Sequence, residues 1–427
     1  MASTEERSCA VDKAVSELIR RGLAHNVAED EQLDGRIITV TGHRLVNFGS
    51  CSYLGLETHQ ELKTAIVDAV NRYGSQFSTS RGYLSAPDYV AVESTLAELF
   101  DRPVVVTPST TLAHLAALPT LIGHRDALLL DHQVHHSVQM AATLVRAQGA
   151  TVEFVPHSSI SVLEKKLTKL AGSCHRVWYA GDGLYSMYAD FAPVTELAGL
   201  IARHEQLWLY LDDAHSVSWT GHHGRGHVLE HLDAVTRERS VVVGSLSKSF
   251  AAAGGVLTFP NTELARRVRT VGAPLIFSGP LQPPMLGAVL ASARLHLSER
   301  IVPRQHHLMQ SIRLFNRLAM ARGLPLVSPS EAPIRYVGAG SPEAAFQLTQ
   351  RVRAAGYFVT TATFPAVVAK RSGVRVTLTT HHTDEDIHGI VEALGQALPD
   401  ALAAAGSSVI ELERAFARQL AGRRLSP

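Results

Sequence analysis

Two polar segments directly follow apolar runs and carry side chains suited to chemistry on a carbonyl compound. Lys248 lies in Gly244-Ser-Leu-Ser-Lys-Ser-Phe250. A lysine among small hydroxyl residues can bind an anion or form a Schiff base, although a solvated loop lysine has the same local pattern. Asp212 and His215 follow the apolar run Leu207–Leu211. Such a carboxylate can keep a cofactor's ring nitrogen protonated, and the alternative is a helix-capping aspartate beside a structural histidine.

Two further segments could bind anions. Ser109, Thr110 and Thr111 precede a helical pattern. Backbone N–H groups at a helix N-terminus attract phosphate and the hydroxyl groups add donors, but ordinary N-capping favours the same residues. Arg375 lies in the strand-like run Val374–Thr379 and, if buried, needs an anionic partner. That partner is either a substrate carboxylate or a structural one, and the local sequence leaves both open.

The elements that must position these segments follow a regular rhythm. Apolar runs alternate with helical patterns, which is typical of a mostly parallel sheet covered by helices on both faces. The predicted strands are Val104–Thr107, Ala127–Leu130, Val152–Val155, Val177–Ala180, Leu207–Leu211, Val241–Gly244 and Val256–Phe259. The predicted helices are Val138–Gln148, Val162–Leu170, Val194–His204 and Glu263–Val271. Since ligands bind at the carboxyl ends of the strands in such sheets, we expect the polar segments to meet there.

The flanking regions have a different pattern. A helix over Val11–Ala24 and a strand pair over Ile37–Val46 are predicted before the sheet. After it, a helical stretch over Met285–Arg322 with a break near Pro303 precedes a final helix from Asp384. A chain of 427 residues is long for one core. We expect an N-terminal helix with short strands over residues 1–50, a large α/β domain over 51–283 and a small α+β domain over 284–427.

The composition is that of a globular protein with no general attraction to nucleic acid or membranes. Hydrophobic residues make up 46% of the chain, and the formal net charge is +1. The longest stretch without Asp, Glu, Lys or Arg, residues 103–124, contains prolines and a histidine and does not resemble a membrane span. Cys9, Cys51 and Cys174 form no CxxC pair, and no apolar leader follows Met1. We expect a cytoplasmic protein that binds neither nucleic acid nor a membrane.

The order of the polar segments, together with several specific motifs, resembles the α-oxoamine synthase family. These fold type I, pyridoxal 5'-phosphate (PLP) enzymes include 8-amino-7-oxononanoate synthase, 2-amino-3-ketobutyrate CoA ligase, 5-aminolevulinate synthase and serine palmitoyltransferase. Asn47-Phe-Gly-Ser-Cys-Ser-Tyr-Leu-Gly-Leu56 is similar to the family's N-F-x-S-N-D-Y-L-G-L. Residues 182–193 are similar to E-G-V-F-S-M-D-G-D-x-A-P, and Asp212-Asp-Ala-His215 matches D-x-A-H. The resemblance implies a large, mostly parallel α/β domain with a smaller C-terminal α+β domain.

The same resemblance implies a role for each candidate site residue. Lys248 would carry PLP as a Schiff base, and His135 would stack on the cofactor ring. Asp212 would contact the ring nitrogen and His215 the ring oxygen, which completes the catalytic set. Further cofactor-binding residues are Ser109, Thr110, Thr111, Asp182, Ser186, Ser245, Ser278 and Gly279, the last two acting across a dimer interface. Arg375 would bind the amino-acid carboxylate, with Ser52, Ser80 and Arg81 also near the substrate.

The implied reaction is the decarboxylative condensation of a small α-amino acid with an acyl thioester, which gives an α-aminoketone and CO2. The acyl group would come from acyl-CoA or an acyl carrier protein, and the enzyme would be a homodimer with shared active sites. Cys51-Ser52 replaces the family's Asn-Asp, Gln76–Thr79 replaces paired glycines, and Ser109–His114 replaces S-G-F/Y-x-A-N. Because most of these positions border the substrate or the phosphate, we expect a specialised member that serves secondary metabolism.

Four alternatives fit parts of the same sequence. Another fold type I reaction, such as transamination or retro-aldol cleavage, needs the same PLP residues, and a non-catalytic synthase subunit has the same fold. Ser245-Leu-Ser-Lys248 fits the S-x-x-K of serine acyl-enzymes, but their S-D-N and K-T-G motifs are absent. His227-Val-Leu-Glu230-His231 fits the inverted zinc-hydrolase motif H-x-x-E-H, which 22 histidines make a frequent chance match.

Overall fold

The computed structural model describes residues 4–423 and 425. The strands are β1 Ile37–Val40, β2 His43–Asn47, β3 Val104–Thr107, β4 Ala127–Asp131, β5 Thr151–Val155, β6 Val177–Asp182, β7 Leu207–Asp212, β8 Ser240–Ser245, β9 Gly255–Thr258, β10 Ile334–Gly340, β11 Tyr357–Phe358, β12 Thr360–Ala362 and β13 Ser372–Thr377. The helices are α1 Thr4–Arg20, α2 Gln60–Tyr73, α3 Asp88–Phe100, α4 Thr110–Leu121, α5 His136–Ala147, α6 Ile160–Leu170, α7 Val194–Arg203, α8 His227–His231, α9 Ala234–Arg237, α10 Thr262–Val271, α11 Pro283–His296, α12 Val302–Ala321, α13 Pro342–Ala354, α14 Asp384–Ala404 and α15 Val409–Ala415.

The largest element is a seven-stranded sheet in the order β3-β9-β8-β7-β6-β4-β5. Its strands are parallel except for β9, which pairs antiparallel with both β3 and β8. The strands from β4 to β8 pair parallel, so their carboxyl ends lie at one edge. The α/β fold expected from the alternating pattern is confirmed.

Helices cover both faces of this sheet. One apolar cluster joins β-strand side chains such as Leu129 and Leu209 to α3, α6, α7 and α11. The other joins their chain neighbours, such as Leu128 and Tyr210, to α4, α5 and α10. Successive strand residues point to opposite faces, and residues on both faces are buried along β4, β6, β8 and β9. This explains why the strands have continuous apolar runs instead of alternating ones.

The chain forms two compact units. The larger unit contains residues 56–185 and 191–305 and holds the seven-stranded sheet. Within the described part of the chain, the other contains residues 4–55, 186–190, 306–423 and 425. It has an antiparallel sheet β10-β13-β12 and a small sheet β1-β2-β11. The domain boundaries predicted at residues 50 and 283 remain a prediction, and the compact units divide the chain at other positions.

Two predicted helices differ from the structure for physical reasons. The first helix begins earlier than Val11 and ends at Arg20, where Gly22 adopts a φ of 68° and donates its N–H to Ile19. A left-handed glycine of this kind is a common helix C-cap. The break in the long helical stretch lies before α12, and Pro303 sits inside its first turn. Proline is tolerated there because the first-turn N–H groups have no intrahelical partner.

Among the described residues, no helix has both the length and the apolar character needed to cross a bilayer.

Candidate active site

The polar segments meet at the carboxyl edge of the large sheet. Strands β6, β7 and β8 end at Asp182, Asp212 and Ser245. Asp182 and Asp212 are direct partners in the register of β6 and β7. The sheet pairing therefore places two carboxyl groups side by side, although they lie 30 residues apart in the sequence.

A cavity of about 340 Å³ lies at this edge, within the size range of small-ligand sites. It brings together many of the predicted residues. Those that line it are Lys248, His135, Asp212, His215, Asp182, Ser109, Thr110, Thr111 and Ser245. Ser137, Leu184, Ala214 and Ser247 also line it and were not predicted, although Ser247 belongs to the same hydroxyl run as Ser245.

One end of the cavity is formed by the N-terminus of α4. Ser109 is the N-cap, and its Oγ accepts a hydrogen bond from the Leu112 N–H at 3.2 Å. The capping interpretation of this segment is therefore correct. It does not compete with an anion site, because the helix still presents its N-terminal dipole and the Thr110 and Thr111 side chains to the cavity. Ser245 also lines the cavity, and this donor set suits a phosphate group.

The lysine and the histidine of the two catalytic segments are hydrogen-bonded. Lys248 Nζ lies 2.8 Å from His215 Nε2. His215 is held in turn through its carbonyl oxygen, which accepts the Trp219 indole N–H at 2.6 Å. One proton lies between these two nitrogens. Either Lys248 carries it as an ammonium group, or His215 carries it on Nε2 of the imidazole. Lys248 is thus a directed amine at the cavity wall and not a solvated loop lysine.

The pKa values of the two carboxyl groups are shifted in opposite directions. Burial alone would raise the pKa of Asp212, but the neighbouring His114 and Lys248 outweigh it and lower the pKa to about 2. Burial and the Asp212 carboxylate raise the pKa of Asp182 well above its ordinary value. Asp182 Oδ1 accepts the His135 backbone N–H at 3.0 Å. The two neighbouring carboxyl groups therefore have pKa shifts of opposite sign, a pattern found at catalytic sites.

His135 presents a neutral ring. Burial lowers its pKa below the ordinary value, so that the imidazole is uncharged near pH 7. Its Nδ1 lies 2.7 Å from Ser137 Oγ, which fixes the orientation of the ring at the start of α5. A neutral, oriented ring is suited to stacking on a flat ligand.

Together, these groups fit PLP. The α4 N-terminus and the hydroxyl groups suit its phosphate, the ionised Asp212 suits a protonated ring nitrogen, and Lys248 is an amine that can bind its aldehyde. The cavity is large enough for a molecule of this size.

His114 is a buried partner of the site that the sequence reasoning did not identify as functional. It is 0% exposed, and its Nε2 lies 3.0 Å from Asp212 Oδ2. Its Nδ1 lies 2.9 Å from the Tyr210 hydroxyl. The only sequence signal was the departure from the family's pattern, where His114 stands in place of an asparagine.

The predicted carboxylate-binding group lies in the other compact unit. Arg375, on β13, is 6% exposed, and its Nε donates to the Ser186 carbonyl oxygen at 2.8 Å. Its Nη2 lies 3.7 Å from Cys51 Sγ. Neither partner is a carboxylate. Ser186 and Ser52 belong to the same unit as Arg375, and their predicted binding roles stay predictions.

Four other predicted residues do not line the cavity within the described part of the chain. Arg81 forms an ion pair with Glu93 at 3.0 Å and lies 3.7 Å from the centre of the Tyr89 ring. Ser80 donates to the Ile276 carbonyl oxygen. Ser278 and Gly279 follow the exposed Phe277 in a loop before α11. Their roles remain predictions.

The zinc-hydrolase motif does not form a cluster. His231 Nδ1 bonds the His227 carbonyl oxygen at 2.8 Å, and Glu230 Oε2 accepts from the backbone of His222 and the side chain of Arg225. In residues 4–423 and 425, no group of three or more His, Cys, Asp or Glu side chains has an arrangement that could hold a metal ion.

Comparison with known proteins gives the same assignment as the site. The family described as Aminotransferase class I and II matches residues 43–394. An 8-amino-7-oxononanoate synthase from Stutzerimonas stutzeri (strain A1501) is 33% identical over 365 residues, which cover 85% of this chain and 90% of that protein.

Solved structures show the same fold. Serine palmitoyltransferase from Sphingomonas wittichii matches with a TM-score of 0.84 at 24% identity, covering 94% of this chain and 99% of that one. A lysine-to-alanine variant of serine palmitoyltransferase from S. paucimobilis with a bound PLP–myriocin aldimine matches with a TM-score of 0.83 at 22% identity, with the same coverage. The chain therefore belongs to the aminotransferase class I and II family, and within it to the PLP-dependent acyltransferases of the α-oxoamine synthase type.

Proposed function

We propose that this enzyme condenses a small α-amino acid with an acyl thioester. A C–C bond forms between the amino-acid Cα and the acyl carbon, the thiol leaves, CO2 is lost and an α-aminoketone is produced. The observation that carries the proposal is the pairing of Lys248 Nζ with His215 Nε2 at 2.8 Å, in a cavity that also contains the ionised Asp212.

The cavity residues would hold PLP in one orientation. Ser109, Thr110, Thr111 and Ser245 would bind its phosphate, Asp212 its ring nitrogen and His215 its ring oxygen, with His135 against the ring face. When bound, PLP supplies an electron sink for the negative charge that develops at the substrate Cα. The ionised Asp212 supports this by keeping a positive charge on the ring nitrogen.

Lys248 is the proposed base. To take the Cα proton, its Nζ must be unprotonated, and the hydrogen bond to His215 Nε2 offers a place for the shared proton on the imidazole. His215 is 9% exposed, so little water competes for this bond. The pKa of Asp182 is raised by burial and by the Asp212 carboxylate, whereas the pKa of Asp212 is lowered to about 2, so Asp212 is the more readily ionised member of the carboxyl pair.

Arg375 is the proposed anchor for the amino-acid carboxylate. Its Nε is fixed by the Ser186 carbonyl oxygen, which orients the guanidinium plane. The Nη2 contact to Cys51 Sγ is long at 3.7 Å, and a carboxylate oxygen is a much stronger acceptor than sulfur. Cys51 and Ser52 stand where the family has Asn-Asp, so we propose that they alter the choice of amino acid.

The acyl donor and the assembly are also proposed. The donor is an acyl-CoA or an acyl carrier protein thioester used in secondary metabolism. The enzyme is a homodimer in which Ser278 and Gly279 approach the phosphate of the partner subunit. The large exposed fractions of Phe277, at 84%, and Tyr83, at 91%, support a protein contact on this surface.

The test begins with the visible spectrum of the purified holoenzyme during titration with glycine, alanine, serine and threonine. We expect one amino acid to shift the band of bound PLP, and an acyl-CoA series then to release thiol and CO2 in equal amounts. Lys248→Ala should abolish both, whereas Lys165→Ala, an exposed lysine on α6, should change neither. Production of a keto acid without thioester would identify an aminotransferase instead, and a protein that stays colourless with added PLP would refute the site assignment.

A further inference from the structure

Tyr210, His114 and Asp212 form a continuous hydrogen-bonded chain behind the cavity. The Tyr210 hydroxyl lies 2.9 Å from His114 Nδ1, and His114 Nε2 lies 3.0 Å from Asp212 Oδ2. Tyr210 and Asp212 are two residues apart on β7 and therefore share a face, while His114 reaches them from α4. Tyr210 and His114 are 0% exposed, so water does not compete for either bond.

The protons in this chain can be assigned from its chemistry. Burial and the Asp212 charge raise the pKa of Tyr210 well above its ordinary value, so its hydroxyl keeps its proton. Asp212 is ionised and acts only as an acceptor. His114 must therefore donate through Nε2 to Asp212, and in the neutral imidazole Nδ1 accepts the proton of the Tyr210 hydroxyl. Tyr210 thus selects the tautomer that His114 needs.

The arrangement also fixes the direction of the Asp212 carboxylate. Oδ1 accepts the Ala214 N–H at 3.0 Å and Oδ2 accepts from His114. Each carboxylate oxygen has a second lone pair, so a donor in the cavity can still bind. A buried carboxylate without such donors would lose much of its preference for the ionised form.

We propose that His114 is a positioning residue that keeps Asp212 ionised and directed at the ring nitrogen of PLP, with Tyr210 setting its tautomer. The proposal rests on the proposed role of Asp212. His114 does not line the cavity and acts only through Asp212. A residue that only fills space between α4 and β7 would not influence the protonation of the cofactor.

The test is a double-mutant cycle on the dissociation constant of PLP and on the pH midpoint of the visible band of the bound cofactor. His114→Leu removes the donor, and His114→Gln keeps a donor at the position of Nε2. We expect His114→Leu to weaken PLP binding at least about tenfold, the lower limit for a lost hydrogen bond to a charged group, and to move the pH midpoint. His114→Gln should stay within about threefold of the parent, because a neutral donor still reaches Asp212.

The combined variants separate the explanations. In the Asp212→Asn background, His114→Leu should have no further effect, because its partner is already lost. The proposal would be overturned if His114→Leu changed the two measurements equally in the parent and in the Asp212→Asn background. It would also be overturned if His114→Gln bound PLP as weakly as His114→Leu does. If Asp212→Asn alone leaves both measurements unchanged, the proposed role of Asp212 fails and that of His114 falls with it.

Two further variants guard against a folding defect. Thr120→Val is the control, because Thr120 is buried on the same helix but its hydroxyl bonds only the Ala116 carbonyl oxygen in the described chain. It should leave both measurements unchanged. Tyr210→Phe removes one hydroxyl group and keeps the ring packing. We expect it to weaken PLP binding about threefold and to move the pH midpoint in the same direction. If His114→Leu does not fold, an unchanged Tyr210→Phe overturns the proposal.

Discussion

Asp213 should make the stability of the protein depend on pH, and Asp213→Asn should remove that dependence. The side chain is 0% exposed and contacts the chain at Gly226–Val228, where its Oδ2 accepts the Val228 N–H at 2.9 Å. A Cβ on Gly226 would lie 2.4 Å from the same oxygen, so no water fits there. Burial, opposed in part by this hydrogen bond, raises the pKa of Asp213 to about 7.

The size of the effect follows from that pKa. In the unfolded chain the carboxyl titrates near its ordinary value of 3.8. Between pH 3.8 and about 7 the Asp213 carboxyl group holds its proton in the folded protein but loses it in the unfolded chain. The free energy of unfolding is therefore greatest below pH 3.8 and falls as the pH rises toward 7. At about 1.4 kcal/mol per tenfold change in the proton equilibrium, the loss reaches about 4 kcal/mol above pH 7. Part of this is recovered where the surroundings relax, so the figure is an upper limit.

The measurement compares the thermal unfolding of parent and Asp213→Asn holoenzymes from pH 4.5 to 8.5. Asparagine keeps an oxygen for the Val228 N–H but cannot ionise. The variant should gain stability relative to the parent as pH rises, by several degrees at pH 8. Glu196→Gln, an exposed position on α7, is the control for the loss of one charge. A difference between parent and Asp213→Asn that is constant across this range would refute the reasoning.

Two other predictions concern the smaller unit. Ala189 adopts a φ of 61°, which costs a residue with a Cβ roughly 1–2 kcal/mol, so Ala189→Gly should raise the unfolding temperature by an amount equivalent to at most about 1 kcal/mol. Ala192→Gly, the control, should lower the unfolding temperature. Equal effects of Ala189→Gly and Ala192→Gly on the unfolding temperature would contradict the argument from backbone strain at Ala189. Arg375→Lys keeps the charge but loses the planar fork, so the KM for the amino acid should rise at least about tenfold with the visible band of PLP unchanged. Arg313→Lys, which pairs with Glu331 on the surface, is the control, and an unchanged KM in Arg375→Lys would exclude Arg375 as the carboxylate anchor.

The large sheet could be predicted because its signal is local. A strand that is dry on both faces has a continuous apolar run, as in Val104–Thr107, where the predicted and observed bounds are identical. Helix ends were harder, because they depend on single capping residues such as Gly22. The antiparallel direction of β9 was not specified either, since an apolar run has the same composition in both directions.

The cavity was predicted in part for a similar reason. Each polar loop could be recognised from the residues that directly follow its strand. Since ligands in such sheets bind at the carboxyl ends of the strands, these loops were expected to meet there. The pairing of Tyr210 with His114 bridges 96 residues, and an isolated histidine in an apolar helix has no local sign of its partner. Asp212 was distinguished from Asp213 only by the match of Asp212-Asp-Ala-His215 to D-x-A-H, because two adjacent carboxylates at a strand end do not themselves show which one faces the cavity.

The departures from the family's pattern divide into two groups by their surroundings. Thr110 and Thr111 replace the residues of the phosphate loop, but they still begin a helix and add hydroxyl donors, so the site keeps both sources of attraction for a phosphate. His114 replaces an asparagine yet supplies a donor to Asp212. Cys51 differs, because it replaces a polar amide beside Arg375 with a thiol, a weaker hydrogen-bonding group. We therefore expect PLP binding to be ordinary for the family, and the choice of amino acid to be the property that has changed.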